Sequence, residues 1–337
     1  MVRTRRGRAR RDAVGDLLTS LLRGEKRAAA KLISLIEDDG PGAPDAIARL
    51  HPHTGKAHIV GFTGPPGVGK SSLINRLVRA YRGRGKKVGV VAVDPSSPFT
   101  GGAVLGDRIR MADTGSDPGV FIRSMATRGH AGGLALATFD AVRVLDAMGM
   151  DLIFVETVGA GQSEVEIATR AHTTVVVEMP LTGDVVQTMK AGILEIGDIY
   201  VVNKVDLGGA DSLVANLKFQ IQPRDGWTPP IVRTSALEDR GVQDLVAGIE
   251  RHRSFLRSSG GLRRREEARA REEILESVRR LLADRARRVG SVGEALERLS
   301  ASVAARTIDP QGAAERILRR ATRPALTRPK VRRGRTS

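Results

Sequence analysis

The octapeptide GPPGVGKS, residues 64–71, follows an apolar run of strand type and opens a stretch with helical periodicity. That arrangement constrains the fold more than any other feature of the chain. Glycines at 64, 67 and 69 let a loop turn so that several backbone N–H groups point inward. The helix that begins where the loop ends adds the partial positive charge of its N-terminus. The G-x-x-x-x-G-K-[ST] pattern in this strand–loop–helix setting predicts a phosphate cradle, formed by Gly64, Pro65, Pro66, Gly67, Val68, Gly69, Lys70, Ser71 and Ser72. Lys70 is placed to neutralise the β- and γ-phosphates of a nucleoside triphosphate and so to act in catalysis, and the Ser71 hydroxyl to take a position on Mg²⁺.

A strand feeding a helix through such a loop implies more strands and helices of the same kind, and the rest of the chain supplies them. Apolar runs at 58–62, 88–93, 152–156, 174–178, 199–202 and 231–234 read as strands, with helical segments at 70–83, 132–149, 184–196 and 241–256. The alternation predicts an α/β fold, a mostly parallel sheet covered by helices on both faces. Ahead of it, residues 12–38 read as one helix carrying Leu17, Leu18, Leu21, Leu22, Ala29, Leu32, Ile33 and Ile36 at three-and-four spacing. After it come charged helical segments at 262–288 and about 292–305. In the first of these, Ile274, Leu275, Val278, Leu281 and Leu282 form a narrow apolar stripe, suited either to packing on its own domain or to pairing with a second copy. The expected organisation is a basic tail at 1–11, a helical segment at 12–56, a nucleotide-binding domain at 57–256, a helical arm at 257–320 and a second basic tail at 321–337.

Composition removes several alternatives. No cysteine occurs among the 337 residues, which excludes disulfides, thiolate catalysis and cysteine metal sites. No run of about 18 uncharged apolar residues is present, so no membrane span is expected, and the protein reads as cytoplasmic. The net charge of +17 would suggest nucleic acid. Its distribution argues otherwise: residues 3–11 hold six arginines, residues 319–337 hold seven arginines and Lys330, and neither tail holds an acid. The body between them is nearly neutral, and terminal charge blocks of this kind are ordinarily solvated.

The base is read from NKVD, residues 203–206, at the end of a strand. The Asp206 carboxylate can accept two hydrogen bonds from the ring N–H and exocyclic amine of guanine, a donor pair that adenine lacks on that edge. Asn203 can reach the other edge, the Lys204 stem can cover the ring face, and Ser235-Ala236 in RTSAL can close on the base. The set selects GTP and GDP over adenine nucleotides. For Mg²⁺, Glu156 ends one strand and Asp94 another, and Asp107 returns into reach after the loop that carries Gly101-Gly102. Glu156 and Gly159 resemble the D-x-x-G element of GTPases with Glu for Asp; the Gly159 N–H could sense the γ-phosphate. Asp94 is a direct or indirect Mg²⁺ partner, and Asp107 either coordinates Mg²⁺, usually through water, or positions the attacking water. Ala160 follows Gly159 where Ras-type enzymes carry glutamine, and Gln162 is two residues further on. Slow intrinsic hydrolysis, stimulated by a partner, is the expected consequence.

The segments VDPSSPFTGGAVLGDRIRM, VFIRSMATRGHAGGLA, ETVGAGQSEVEIA, KAGILEIGDIYVVNKVD and DPQGAAERIL together resemble the MeaB/ArgK family, to which the human methylmalonic aciduria type A protein belongs. The resemblance covers roughly residues 15–320. It implies the P-loop NTPase fold of SIMIBI type. It also implies a GTPase that acts as chaperone to an adenosylcobalamin-dependent acyl-CoA mutase, typically methylmalonyl-CoA mutase, and homodimers formed through the C-terminal arm. Carried over by motif, Asp94, Asp107 and Glu156 match the acids around Mg²⁺, and residues 180–190, ending at Lys190, match a third switch that couples nucleotide state to the mutase. The sequence departs from the family there: Pro180-Leu181-Thr182-Gly183-Asp184-Val185 stands where Pro-Gly-x-Gly-Asp-Asp is usual. Related mutases acting on isobutyryl-CoA or hydroxyisobutyryl-CoA are therefore alternative clients. Two other functions compete. A small-molecule kinase linked to lysine, arginine and ornithine transport would need an acceptor-binding motif, and none is evident. A metal-insertion GTPase would need Cys/His clusters, and only the spaced pair His51 and His53 offers itself.

Overall fold

The computed structural model describes residues 13–94, 116–126, 133–157, 167–180, 194–288 and 290–322. Seven strands form one all-parallel sheet: β1 (His58–Thr63), β2 (Val88–Asp94), β3 (Val120–Ala126), β4 (Leu152–Thr157), β5 (Thr173–Glu178), β6 (Ile199–Val202) and β7 (Ile231–Arg233), in the order β3-β2-β4-β1-β5-β6-β7. Strands β1, β4, β5 and β6 are buried at every residue, which is why they read as unbroken apolar runs and not as alternating ones. β1 lies centrally between β4 and β5. The chain leaves it in one direction to β2 and β3 and later crosses to the other side. A switch of this kind opens a crevice at the carboxyl ends of the strands, where open α/β sheets bind ligands.

Helices cover both faces. On one, α4 (Lys70–Arg82) and α7 (Val242–Ser258) pack Leu73, Leu77, Leu245 and Ile249 against Val60, Phe62, Val90 and Phe154. On the other lie α5 (Gly133–Ala147) and the N-terminal helices α1 (residues 13–22), α2 (Lys26–Glu37) and α3 (Ala43–Leu50). Leu21, Leu32, Ile33 and Leu50 share a core there with Ile59, Val91, Ile153 and Val155. Helix α6 (Ala210–Gln220) covers Val176, Tyr200 and Val202. Gly61 permits one close approach, since a Cβ there would lie 2.6 Å from the Ile167 side chain.

Two expectations are corrected. The single helix over 12–38 is two helices, because Gly24 takes φ 86° between them and ends the first. Among the described residues the strand count is seven, not six. β3 was hidden by Arg123 in its middle, a residue that does not read as strand core. At this sheet edge its guanidinium finds Glu37 at 2.6 Å and the Ser34 hydroxyl at 3.1 Å, both on α2. Of the helix expected over 184–196, residues 194–196 form a turn and the remainder lies outside the described residues.

By contacts the chain divides into two compact units between Glu267 and Ala268. Helix α8 (Gly261–Arg288) contributes to both; α9 (Gly290–Ala304) and α10 (Pro310–Thr322) belong to the second. The first turns of α8 are fixed within the first unit by a buried ion pair. Arg265 donates two hydrogen bonds to Asp198, at 2.7 and 2.8 Å, and a third to the His172 carbonyl. Within the second unit, α9 and α10 pack together and bury Ala295 and Ala313. Ile274, Leu275, Val278 and Leu281 of the α8 stripe are exposed. Among the described residues no helix is long and apolar enough to cross a membrane.

At the amino ends of β1, β5 and β6 the Asp198 pair joins a buried chain of polar groups. His58 Nε2 lies 2.8 Å from the Thr173 hydroxyl, which lies 2.9 Å from His252 Nδ1, and His252 Nε2 is 3.5 Å from Asp198. Burial lowers both imidazoles, His58 to about 2 and His252 to about 4, the latter against the raising effect of Asp198. Burial alone would raise the Asp198 carboxyl; the Arg265 hydrogen bonds and charge outweigh it and hold Asp198 below the usual carboxylate range. Both histidines are therefore neutral in the fold at pH 5, whereas in the unfolded chain they take up protons below about pH 6.5. The stability they permit is complete above that pH and declines below it, with a slope approaching two protons, or about 2.7 kcal/mol per pH unit, near pH 5, before His252 begins to protonate in the fold. Asp198 adds its own loss only below about pH 4, as its depressed carboxyl protonates. Urea denaturation at pH 7.5, 6 and 5 is expected to give a midpoint that falls at each step; equal midpoints at pH 6 and 5 would contradict the buried neutral pair.

Candidate functional site

The loop after β1 places its glycines where side chains cannot go. Gly64 has φ 139°, and a Cβ there would stand 2.0 Å from the Val177 carbonyl oxygen of β5. Gly69 has φ 94°, and a Cβ there would meet Asn203 Nδ2 at 2.5 Å. The loop can thus lie against β5 and the end of β6 only with glycine at both positions. Gly69 also stands immediately before α4, so the helix N-terminus opens directly onto the loop. Lys70, buried, donates to the carbonyls of Gly64 at 2.7 Å and Pro65 at 2.9 Å, which tethers the ammonium to the loop it serves. Val68 is buried in the sheet core, Pro66, Gly67 and Ser72 are exposed, and Pro65 is intermediate.

Beside the loop, the buried Ser71 hydroxyl donates to Glu156 Oε1 at 2.7 Å. Glu156 reaches this point because β4 runs next to β1, pairing Glu156 with Phe62 just before the loop begins. A hydroxyl and a carboxylate in direct contact, at the mouth of a glycine cradle, are the hard oxygen donors that Mg²⁺ takes. Asp94 closes β2, the strand adjacent to β4. Its carboxylate, together with Asp107, Gly159, Gln162 and residues 181–190, lies outside the described residues. Among the described residues no cluster of three or more His, Asp or Glu side chains suits a metal, and His51 and His53 are exposed in a short 3₁₀ turn.

The residues expected to read the base converge from β6 and β7. Asn203 follows β6 and is 1% exposed. Its Nδ2 donates to the Val68 carbonyl at 2.8 Å, and its Oδ1 accepts from the Thr234 hydroxyl at 2.9 Å and the Ala236 N–H at 3.2 Å. Asn203 therefore joins the phosphate loop, the end of β7 and the closing loop. Of its two amide N–H groups, one is engaged with Val68. Lys204 takes φ 58°, which turns the chain so that its stem passes near Gly69. Asp206 lies exposed in the 3₁₀ turn Val205–Leu207. A hydrogen bond from Ser235 holds its carboxyl below the usual range, so Asp206 is an acceptor across the physiological range.

Two participants escaped the sequence reading. Thr234, next to the Ser235-Ala236 pair, orients Asn203. Arg76 of α4 donates from Nε to the Ala236 carbonyl at 2.8 Å and from Nη2 to the Leu237 carbonyl at 3.1 Å. Thr234 could have been suspected from its place at a strand end; no pattern in the sequence marks Arg76.

Comparison with known proteins agrees with this geometry. The family model described as methylmalonyl-CoA mutase-associated GTPase MeaB matches residues 29–291. A Pyrococcus abyssi protein with a provisional GTPase name is 48% identical over 312 residues, covering 91% of this chain and 96% of its own. The mitochondrial methylmalonic aciduria type A homolog of Caenorhabditis elegans is 30% identical over 329 residues, covering 91% and 82%. The crystal structure of an LAO/AO transport system kinase shares the fold, with a TM-score of 0.68 at 24% identity over 91% of this chain and 96% of that one. A phosphate loop locked to a guanine-type NKxD turn through one buried asparagine is what such a family would need, and the chain belongs to the MeaB family of P-loop GTPases.

Proposed function

We propose that this GTPase is Mg²⁺-dependent and serves as gatekeeper for adenosylcobalamin loading and protection of an acyl-CoA mutase, with methylmalonyl-CoA mutase the first client to test. The observation that carries the nucleotide part is the pairing of Asp206 with Ser235 beside an Asn203 tied to the phosphate loop. The family description, which names the mutase, supports the client, as does the C. elegans relative's name. The setting in view is the cytoplasm.

In this reading Lys70 and the loop N–H groups hold the β- and γ-phosphates, and catalysis is positioning and electrostatics. Ser71 and Glu156 would hold the Mg²⁺, which supplies charge neutralisation between the β- and γ-phosphates when bound. Asp94 and Asp107 are the further acids proposed for that site, Gly159 the γ-phosphate sensor, and Gln162 with Asp107 the candidates for orienting water. The segment from Pro180 to Lys190 is proposed to report nucleotide state to the mutase, with Leu181 and Val185 tuning which mutase responds. The exposed stripe of Ile274, Leu275, Val278 and Leu281 supports a homodimer formed through α8.

Three outcomes are expected. Asp206→Asn should weaken GTP binding by about 100-fold, the loss of two charge-assisted hydrogen bonds at roughly 1.5 kcal/mol each, and should bind xanthosine nucleotides better than the parent. Unchanged GTP affinity by titration calorimetry would refute the assignment of the base site. The purified protein alone should hydrolyse GTP at well under about 1 s⁻¹, and a purified methylmalonyl-CoA mutase should raise that rate and be captured differently in the presence of GDP and of a non-hydrolysable GTP analogue. With neither stimulation nor nucleotide-dependent capture, the mutase assignment fails while the GTPase stands. Leu275→Glu with Leu281→Glu should convert a dimer to a monomer by light scattering; an unaltered dimer would place the interface elsewhere.

A further inference from the structure

Arg76 stands apart from every residue used so far, because it belongs to the phosphate-binding helix yet, among the described residues, its side-chain polar contacts go to the loop after β7. It lies on α4 six residues after Lys70. Its forked guanidinium takes the carbonyls of Ala236 and Leu237, and its Nε lies 3.9 Å from the Asp239 carboxylate.

The rest of the loop's support explains why this matters. Its inner limb is well held: Thr234 N–H donates to Val202, the Ala236 N–H donates to Asn203, and Ser235 and Arg240 exchange backbone hydrogen bonds at 3.1 Å. Its outer limb has no apolar anchor. Leu237 is 81% exposed, and Glu238 and Asp239 are exposed as well. Ala236 is buried in the core, but with no buried side chain after it the position of residues 237–239 depends on polar contacts. Among the described residues Arg76 supplies the contact that reaches this limb from another element. Ser235, which binds Asp206, accepts from the Glu238 N–H of this limb at 3.3 Å. A planar guanidinium with two parallel donors fixes both distance and angle, which a lysine ammonium cannot do.

We propose that Arg76 is a positioning residue for purine recognition: it clamps the 235–239 loop to the phosphate-binding helix and thereby sets how well Asp206 and Ser235 discriminate the guanine 2-amino group. The inference rests on the guanine site proposed above. It predicts an effect on base discrimination and nucleotide residence with little effect on chemistry, since among the described residues the hydrogen bonds and ion pair of Arg76 go to Ala236, Leu237 and Asp239.

The test compares the full chain with Arg76→Ala and Arg76→Lys, measuring dissociation constants and dissociation rates for GDP, IDP and ADP, and kcat at saturating GTP. IDP lacks the 2-amino group, so the GDP/IDP affinity ratio reads the Asp206 contact directly. Arg76→Ala should release GDP about ten times faster and lower the GDP/IDP ratio at least threefold, with kcat within twofold of the parent. Arg76→Lys, which keeps the charge but not the fork, should fall between the two, and it carries the test should the alanine variant fail to fold. GDP release and a GDP/IDP ratio equal to the parent's in Arg76→Lys and Arg76→Ala would overturn the proposal. So would equal losses for GDP, IDP and ADP with a parallel fall in kcat, the signature of general damage to α4. A parent chain that does not prefer GDP to ADP would instead overturn the guanine site itself, which separates the two failures.

Discussion

One carboxamide holds the candidate site together. Asn203 is almost wholly buried at the carboxyl end of β6, and its amide bonds to the phosphate loop through Val68, to β7 through Thr234 and to the closing loop through Ala236. A buried amide gains little by making such bonds and costs about 1–3 kcal/mol for each group left unsatisfied. The three segments are therefore locked to one another by the penalty of separating them. The glycines answer to the same constraint. Gly69 is needed less for its own flexibility than because any Cβ would occupy the place of the Asn203 amide, and Gly64 because β5 lies against the loop. The phosphate loop and the NKVD turn are thus tied to each other by the protein's own hydrogen bonds.

Much of this was legible in the chain because it is local. A glycine-rich turn, a strand buried on both faces and a four-residue NKVD turn each carry their signal within a few positions, so the α/β class, the phosphate loop and Asp206 could be read directly. What escaped depends on partners distant in sequence. β3 was missed because Arg123 looks wrong for a strand until Glu37, 86 positions away, neutralises it. The break at Gly24 was missed because an amphipathic pattern continues across it and only the left-handed backbone interrupts the helix. Arg76 and Thr234 carry no signal of their own, since each acts on groups that approach only after the sheet has formed. Asn203 was assigned a contact with the base, and its bonds within the protein became visible only when Val68 and Thr234 were placed beside it.

The two edges of the sheet use polar groups in opposite ways. At the carboxyl edge, Asp206 is exposed and kept ionised by a hydroxyl, and Ser71 with Glu156 presents oxygen donors at the loop mouth. At the amino edge, Asp198 is 2% exposed and fully engaged by Arg265, with neutral histidines behind it. An arrangement of the first kind leaves charged and hydroxyl oxygens at the surface or beside the phosphate loop. The second is closed, and a buried pair of that geometry contributes specificity of position more than stability.

β6 connects these two edges, and its length gives the connection consequences. The strand proper is four residues, Ile199–Val202, with Asp198 immediately before it and Asn203 immediately after. Each of those side chains is buried and bonded to elements on its own side: Asp198 to the first turns of α8, Asn203 to the phosphate loop and the closing loop. A strand anchored at both ends by buried polar groups cannot slip by one residue without leaving both sets unsatisfied, an error far more costly than an ordinary register shift in an apolar strand. Asp198 and Asn203 are therefore held about 16 Å apart, five residues at the rise of a strand. A signal that passes from nucleotide to the helical arm through the core of the sheet would have to strain this link.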